Sequence, residues 1–127
     1  MAAKSARARA TYEDVLRSPE RVVAEVVGGV LHTHPRPRLR HARSATRLGA
    51  ELDGPFDQGK DGPGGWLILD EPELHLGPDP DILVPDLAGW RRQRMPITPD
   101  EAFAALAPDW ICEVLSPLAA PLRGARS

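Results

Sequence analysis

Three acidic residues stand where acids are costly. Glu113 lies within Trp110-Ile111-Cys112-Glu113-Val114-Leu115, Asp86 follows Ile82-Leu83-Val84-Pro85, and Glu25 interrupts Val22-Val23-Ala24-Glu25-Val26-Val27. Read as a strand, the first run alternates its side chains, so Glu113 shares a face with Ile111 and Leu115. Both faces of that run read as buried, and an unpaired carboxylate there must be compensated or neutralised. A metal ion, an arginine, a backbone cap or water at an open strand end could do this. Pro85 removes a ladder donor, so at Asp86 the strand is at an edge or loosening, and the aspartate either joins a site or caps its own turn. Two such carboxylates on neighbouring strands suit a divalent cation. Mg²⁺ takes one or two carboxylates plus waters and phosphate oxygens, and it can generate hydroxide near neutral pH. Glu25 offers a third acid.

Other reactive side chains are read more plainly. His32 and His34 share one side of a strand, a spacing compatible with metal ligation but more simply that of an exposed hairpin face. His41 either faces a phosphate or lies on an arginine-rich helix face, the second being the simpler reading. Cys112 reads as a small buried hydrophobe. The sequence contains no P-loop, GxSxG elbow or HExxH.

Several elements must position these residues. Thr11-Tyr12-Glu13-Asp14 has the form of a capping box opening a short helix to about Arg17, stopped at Ser18-Pro19. Gly28-Gly29 between Val22–Val27 and Val30–His34 predicts a β-hairpin. From Arg38 to Asp53, Ala42, Ala45, Leu48 and Leu52 recur at helical spacing while Arg40, Arg43 and Arg47 lie off that stripe. Residues 54–65 read as a loop. Trp66–Leu69 reads as a strand that Leu74-His75-Leu76 pairs with, and Ile82-Leu83-Val84 as a buried strand. Thr98-Pro99-Asp100-Glu101 is a second capping signature, predicting a helix to about Leu106. Strands interleaved with helices predict an α/β fold, a mixed sheet flanked by helices, with strand order left open.

Composition sets the outer bounds. At 127 residues, 42% hydrophobic and 27% charged, the chain makes at most one globular domain. A single cysteine excludes an internal disulfide and fits a reducing, cytoplasmic setting. Basic Met1–Ala10 is followed by no apolar core of a signal peptide, and no long apolar run predicts a membrane span. The net charge of −2 conceals an asymmetry. Residues 1–50 hold ten Lys/Arg against four acids, whereas residues 51–90 hold one Lys against ten. Such a pair of segments forms either a phosphate-facing surface beside a metal site or two solvated faces.

Taken in order, the motifs resemble the Uma-two family of endonucleases in the PD-(D/E)xK restriction-endonuclease-like superfamily. The match runs through Thr11–Asp14, Ala24–Leu31, Pro37 with His41, then Asp81-Ile82-Leu83-Val84-Pro85-Asp86-Leu87-Ala88-Gly89-Trp90 and Pro108-Asp109-Trp110-Ile111-Cys112-Glu113-Val114-Leu115-Ser116-Pro117. The last two segments are the specific ones. The resemblance implies a restriction-endonuclease-like domain over residues 11–117, with 118–127 an unstructured or out-of-frame tail. It implies that Asp86 and Glu113 hold Mg²⁺, or Mn²⁺, that Glu25 is an auxiliary catalytic acid, and that DNA is cleaved at a phosphodiester. A homodimer is a further expectation. In the family a helix after the Ser-Pro supplies an acid and a lysine. Here residues 118–127 hold no lysine, so the expectation is a domain incomplete at its C-terminus and impaired in catalysis. Two rival readings are a non-catalytic remnant of the fold and a small nucleic-acid- or protein-binding module that uses the arginine helix.

Overall fold

The Gly28-Gly29 pair turns the chain back on itself, as its sequence predicts. In the computed structural model, which describes residues 8–115, these glycines take φ of 59° and 80°, values side chains resist. They join strand β1 (Val22–Val27) to β2 (Val30–Pro35) in an antiparallel ladder that sets Glu25 opposite His32. Ahead of the hairpin, α1 (Tyr12–Leu16) begins with the Thr11 backbone N–H donating to Asp14 Oδ2 at 2.8 Å. After it, α2 (Leu39–Leu52) turns His41, Ala45, Leu48, Gly49 and Leu52 inward, leaving the arginines exposed.

Five further strands follow: β3 (Trp66–Asp70), β4 (Leu74–Leu76), β5 (Asp81–Leu83), β6 (Leu87–Arg91) and β7 (Trp110–Cys112). They divide between two sheets, of order β2-β1-β5-β4 and β3-β6-β7, and every ladder is antiparallel. The α/β class is therefore as expected, but two antiparallel sheets stand in place of the single mixed sheet that the alternation of elements predicts. The core lies between and beneath them, formed by Val26, Leu67, Leu74, Ile82, Leu87, Ala88, Trp90 and Met95. Trp90 is fully buried, and its indole N–H donates to the Leu106 carbonyl at 2.9 Å.

Several expectations are corrected. Leu74–Leu76 pairs with β5 and not with β3, which pairs with β6 in the other sheet. No helix forms over 98–106. Instead Ala104 bridges to Leu74, with His75 N–H to Ala104 O and Ala104 N–H to Glu73 O both at 2.9 Å, and Phe103 stacks on His75 at 3.7 Å. A run of nine residues gains too little from its own helical bonds to resist these tertiary ones. Residues 53–58, read mostly as loop, continue α2 as a π-helical turn closed by Gly59 at φ 76°. β6 is the central strand of its sheet, yet its Leu-Ala-Gly-Trp sequence carries little strand signal. Gly89 relieves crowding there: a Cβ would come within 3.1 Å of Ile68 and 3.2 Å of the Trp66 ring.

The last strand also differs. β7 ends at Cys112, so Glu113 follows the strand, and both faces of the run are partly open, with Trp110 36% and Ile111 51% exposed. Cys112 is only half-buried. The tail and the Ser-Pro step after Leu115 lie outside the described residues, as do residues 1–7. Among the described residues, no helix is long and apolar enough to cross a membrane.

Candidate active site

Between β5 and β6 the chain leaves one sheet and enters the other, and the three residues of the crossing, Val84, Pro85 and Asp86, belong to no ladder. Their backbone donors need partners, since Pro85 has none to offer and water is largely excluded. Carboxylates supply them. Val84 N–H donates to Glu25 Oε2 at 2.8 Å, and Asp86 N–H donates to Glu113 Oε1 at 3.3 Å. Asp86 in turn accepts the Val114 backbone N–H on Oδ2 at 2.6 Å. The three acids thus arrive from β1, from the crossing and from the end of β7, and each accepts a backbone N–H at the crossing or beside Glu113.

Two histidines border them. His41, on the inward face of α2's first turn, places Nε2 3.0 Å from Asp86 Oδ1, both side chains being 14% exposed. His34 brings Nε2 to 3.3 Å from Glu25 Oε1. Neither contact was anticipated. The signal for His41 was present, since it precedes Ala45 by four residues and so shares the inward stripe. His34 and His32 do lie on the exposed hairpin face, but His34 leans back to the acid.

The electrostatics are those of crowded negative charge. Loss of solvation pushes the Glu113 carboxyl above its ordinary value. The Asp86 backbone N–H opposes this, while repulsion from the Asp86 and Glu25 carboxylates adds to it. No arginine or lysine pairs with any of the three acids among the described residues.

Asp86 and Glu113 present hard oxygen donors of the type Mg²⁺ and Mn²⁺ prefer, and crowding of like charge is what a divalent cation relieves. Among the described residues no three His, Cys, Asp or Glu side chains are grouped to hold an ion by themselves. Two carboxylates therefore fit a cation that draws the rest of its shell from water and substrate, and do not fit an all-protein cage.

No protein-family profile matches the sequence, and no curated protein is similar to it. Among solved structures, the chain is similar to the crystal structure of a candidate nuclease belonging to DUF820 from Anabaena variabilis ATCC 29413. The TM-score is 0.65 at 22% identity, over 88% of this chain and 62% of that one. The chain shares that protein's α/β fold. It spans less than two thirds of that protein's length, and at this identity the likeness is one of fold.

Proposed function

We propose that the chain carries the carboxylate site of a metal-dependent nuclease acting on DNA, with Asp86 and Glu113 holding Mg²⁺ or Mn²⁺ and Glu25 bordering them. The observation that carries this reading is that three acids from separate elements gather about the crossing from β5 to β6, with no arginine or lysine partner among the described residues. The neighbour's description as a candidate nuclease supports the reading at the level of fold. When bound, the cation would supply a Lewis acid and a water of lowered pKa. The chain's own part is positioning: His41 and Val114 N–H fix the Asp86 carboxylate, and the Asp86 N–H fixes that of Glu113. Calorimetric titration with Mn²⁺ tests the site, and Asp86→Asn should abolish the binding. Mg²⁺-dependent plasmid cleavage, lost in Asp86→Asn, would confirm the nuclease.

One observation favours a second reading. Every acid of the cluster also satisfies a backbone N–H, so the same residues could serve only to bracket the crossing in a non-catalytic fold. That reading requires Mn²⁺ binding to be absent while Glu25→Ala and Glu113→Ala still destabilise the protein.

A further inference from the structure

We propose that the outward face of α2 is a docking surface for the phosphodiester backbone of duplex DNA. The choice of polyanion rests on the nuclease reading, whereas the surface itself rests on charge and placement. At 3.6 residues per turn, Arg40, Arg43 and Arg47 fall in one stripe roughly 60° wide, and all three are exposed, as is Arg38 at the helix start. The first turn of α2 holds no acid, and Glu51 in the last turn is its only one. Among the described residues none of these four guanidiniums forms an ion pair.

Helix stability does not account for this arrangement. Cations near a helix N-terminus oppose the macrodipole, and like charges three and four residues apart repel. The stripe therefore disfavours the element that presents it. What it fits is an anion extended in one direction. Arg40 to Arg47 spans about 10 Å at 1.5 Å per residue, long enough to meet more than one phosphate of a strand. Guanidinium pairs with phosphate through two parallel hydrogen bonds, so each arginine can hold one. His41 lies in the same first turn but faces inward and touches Asp86, so the stripe lies on the side of α2 turned away from the carboxylate cluster. A polyanion held there is kept clear of the acids that would repel it.

The experiment is fluorescence anisotropy of a labelled 20-base-pair duplex with the full chain, in EDTA, across a series of KCl concentrations. Wild type should bind with a linear fall of log K against log salt. The triple variant Arg40→Ala, Arg43→Ala, Arg47→Ala should flatten that slope by about 2–3, at 0.9 per phosphate released, with its thermal midpoint unchanged or raised. The triple Arg→Lys variant should keep the slope, and Arg17→Ala, whose guanidinium already pairs with Glu13, should not alter it. Triple Arg→Gln repeats the readout with a polar chain if the alanines disturb the helix. An unchanged slope in the alanine and glutamine variants, or no salt-dependent binding by wild type, overturns the proposal and leaves a solvated face. The two readings separate in the same experiment once Mg²⁺ is added. Stripe-dependent binding with no cleavage by wild type removes the nuclease and keeps the surface. Cleavage at unchanged KM in the alanine variant does the reverse.

Discussion

The imidazole Nε2 of His41 meets the Asp86 carboxylate at 3.0 Å across 45 residues of sequence, where the chain passes from β5 in one sheet to β6 in the other. Removing the ring leaves Asp86 Oδ1 without that partner and frees the carboxylate to rotate. Outer partners of metal-binding carboxylates and histidines typically contribute 10–100-fold in metal affinity, so His41→Ala should raise the Mn²⁺ Kd by about that factor. His41→Asn, which keeps a donor, should recover part of it. Equal Mn²⁺ affinity in wild type and His41→Ala would show that the contact has no bearing on the site.

Glu113 carries a sign that acid-rich sites share. Its folded pKa is raised from an ordinary 4.5, so folding favours the protonated form. The unfavourable contribution is absent below the unfolded value and complete above the folded one. In metal-free buffer Glu113→Gln should therefore raise the thermal midpoint at pH 7, with the gain shrinking to nothing as pH falls below about 4.5. Mg²⁺ should then stabilise wild type more than the variant. A variant less stable than wild type at pH 7 would mean that capping the Asp86 N–H outweighs the repulsion.

Asp109 carries the opposite sign. It accepts the Arg91 backbone N–H at 2.8 Å and pairs with Arg94 at 2.8 Å, and these hold its carboxyl below the ordinary 3.8. Its own N–H donates to Gly89 O at 2.9 Å, so it stitches the entry of β7 to β6. The stabilisation is present above pH 3.8 and is lost as pH falls through the lower folded value. Asp109→Asn should lower the thermal midpoint at pH 7 and converge with wild type in strong acid. A constant difference across that range would argue against the ion pair.

Trp90 tests the core directly. It is fully buried and its indole N–H is bonded to Leu106 O, so Trp90→Ala removes both packing and a satisfied donor. Such truncations cost about 3–5 kcal/mol, a large share of what a domain this size possesses. Urea denaturation should show a loss of that order or a chain already unfolded in water.

The β7 edge bears on association. Trp110, Ile111 and Leu115 are all exposed beside an edge strand, the arrangement that invites pairing with another chain. Sedimentation velocity should show concentration-dependent self-association, and Ile111→Lys should weaken it. A wild type that stays monomeric throughout would place the dimer expectation out of reach.

The legible parts of the sequence were those with local causes. Gly28-Gly29 imposed the hairpin, Thr11 and Asp14 the start of α1, and the spacing of Ala45, Leu48 and Leu52 the inward face of α2. The illegible parts had distant causes. Glycine relieves crowding in β6 because Trp66 and Ile68 close on it from β3, and that closeness is invisible in Leu-Ala-Gly-Trp itself. The helix signature at Thr98–Glu101 lost to Ala104 bonding with β4. At the candidate site the acids were legible from their apolar settings, because a misplaced charge is a local anomaly. Their histidine partners were not, since His34 and His41 are ordinary in their own segments and acquire meaning only through Glu25 and Asp86.

The crossing of the chain between sheets also fixes when the site can exist. Its hydrogen bonds join Glu25 to Val84, His41 to Asp86 and Asp86 to Val114, separations of 59, 45 and 28 residues. Contacts so remote in sequence repay their loop-closure entropy only together, which makes them late and cooperative. No nascent chain that has yet to release Val114 from the ribosome holds Asp86 in place, and no partly folded species offers a half-affinity for its ligand. Ligand binding should thus follow the global folding equilibrium one for one, so that occupancy measured during refolding reports completion and nothing earlier.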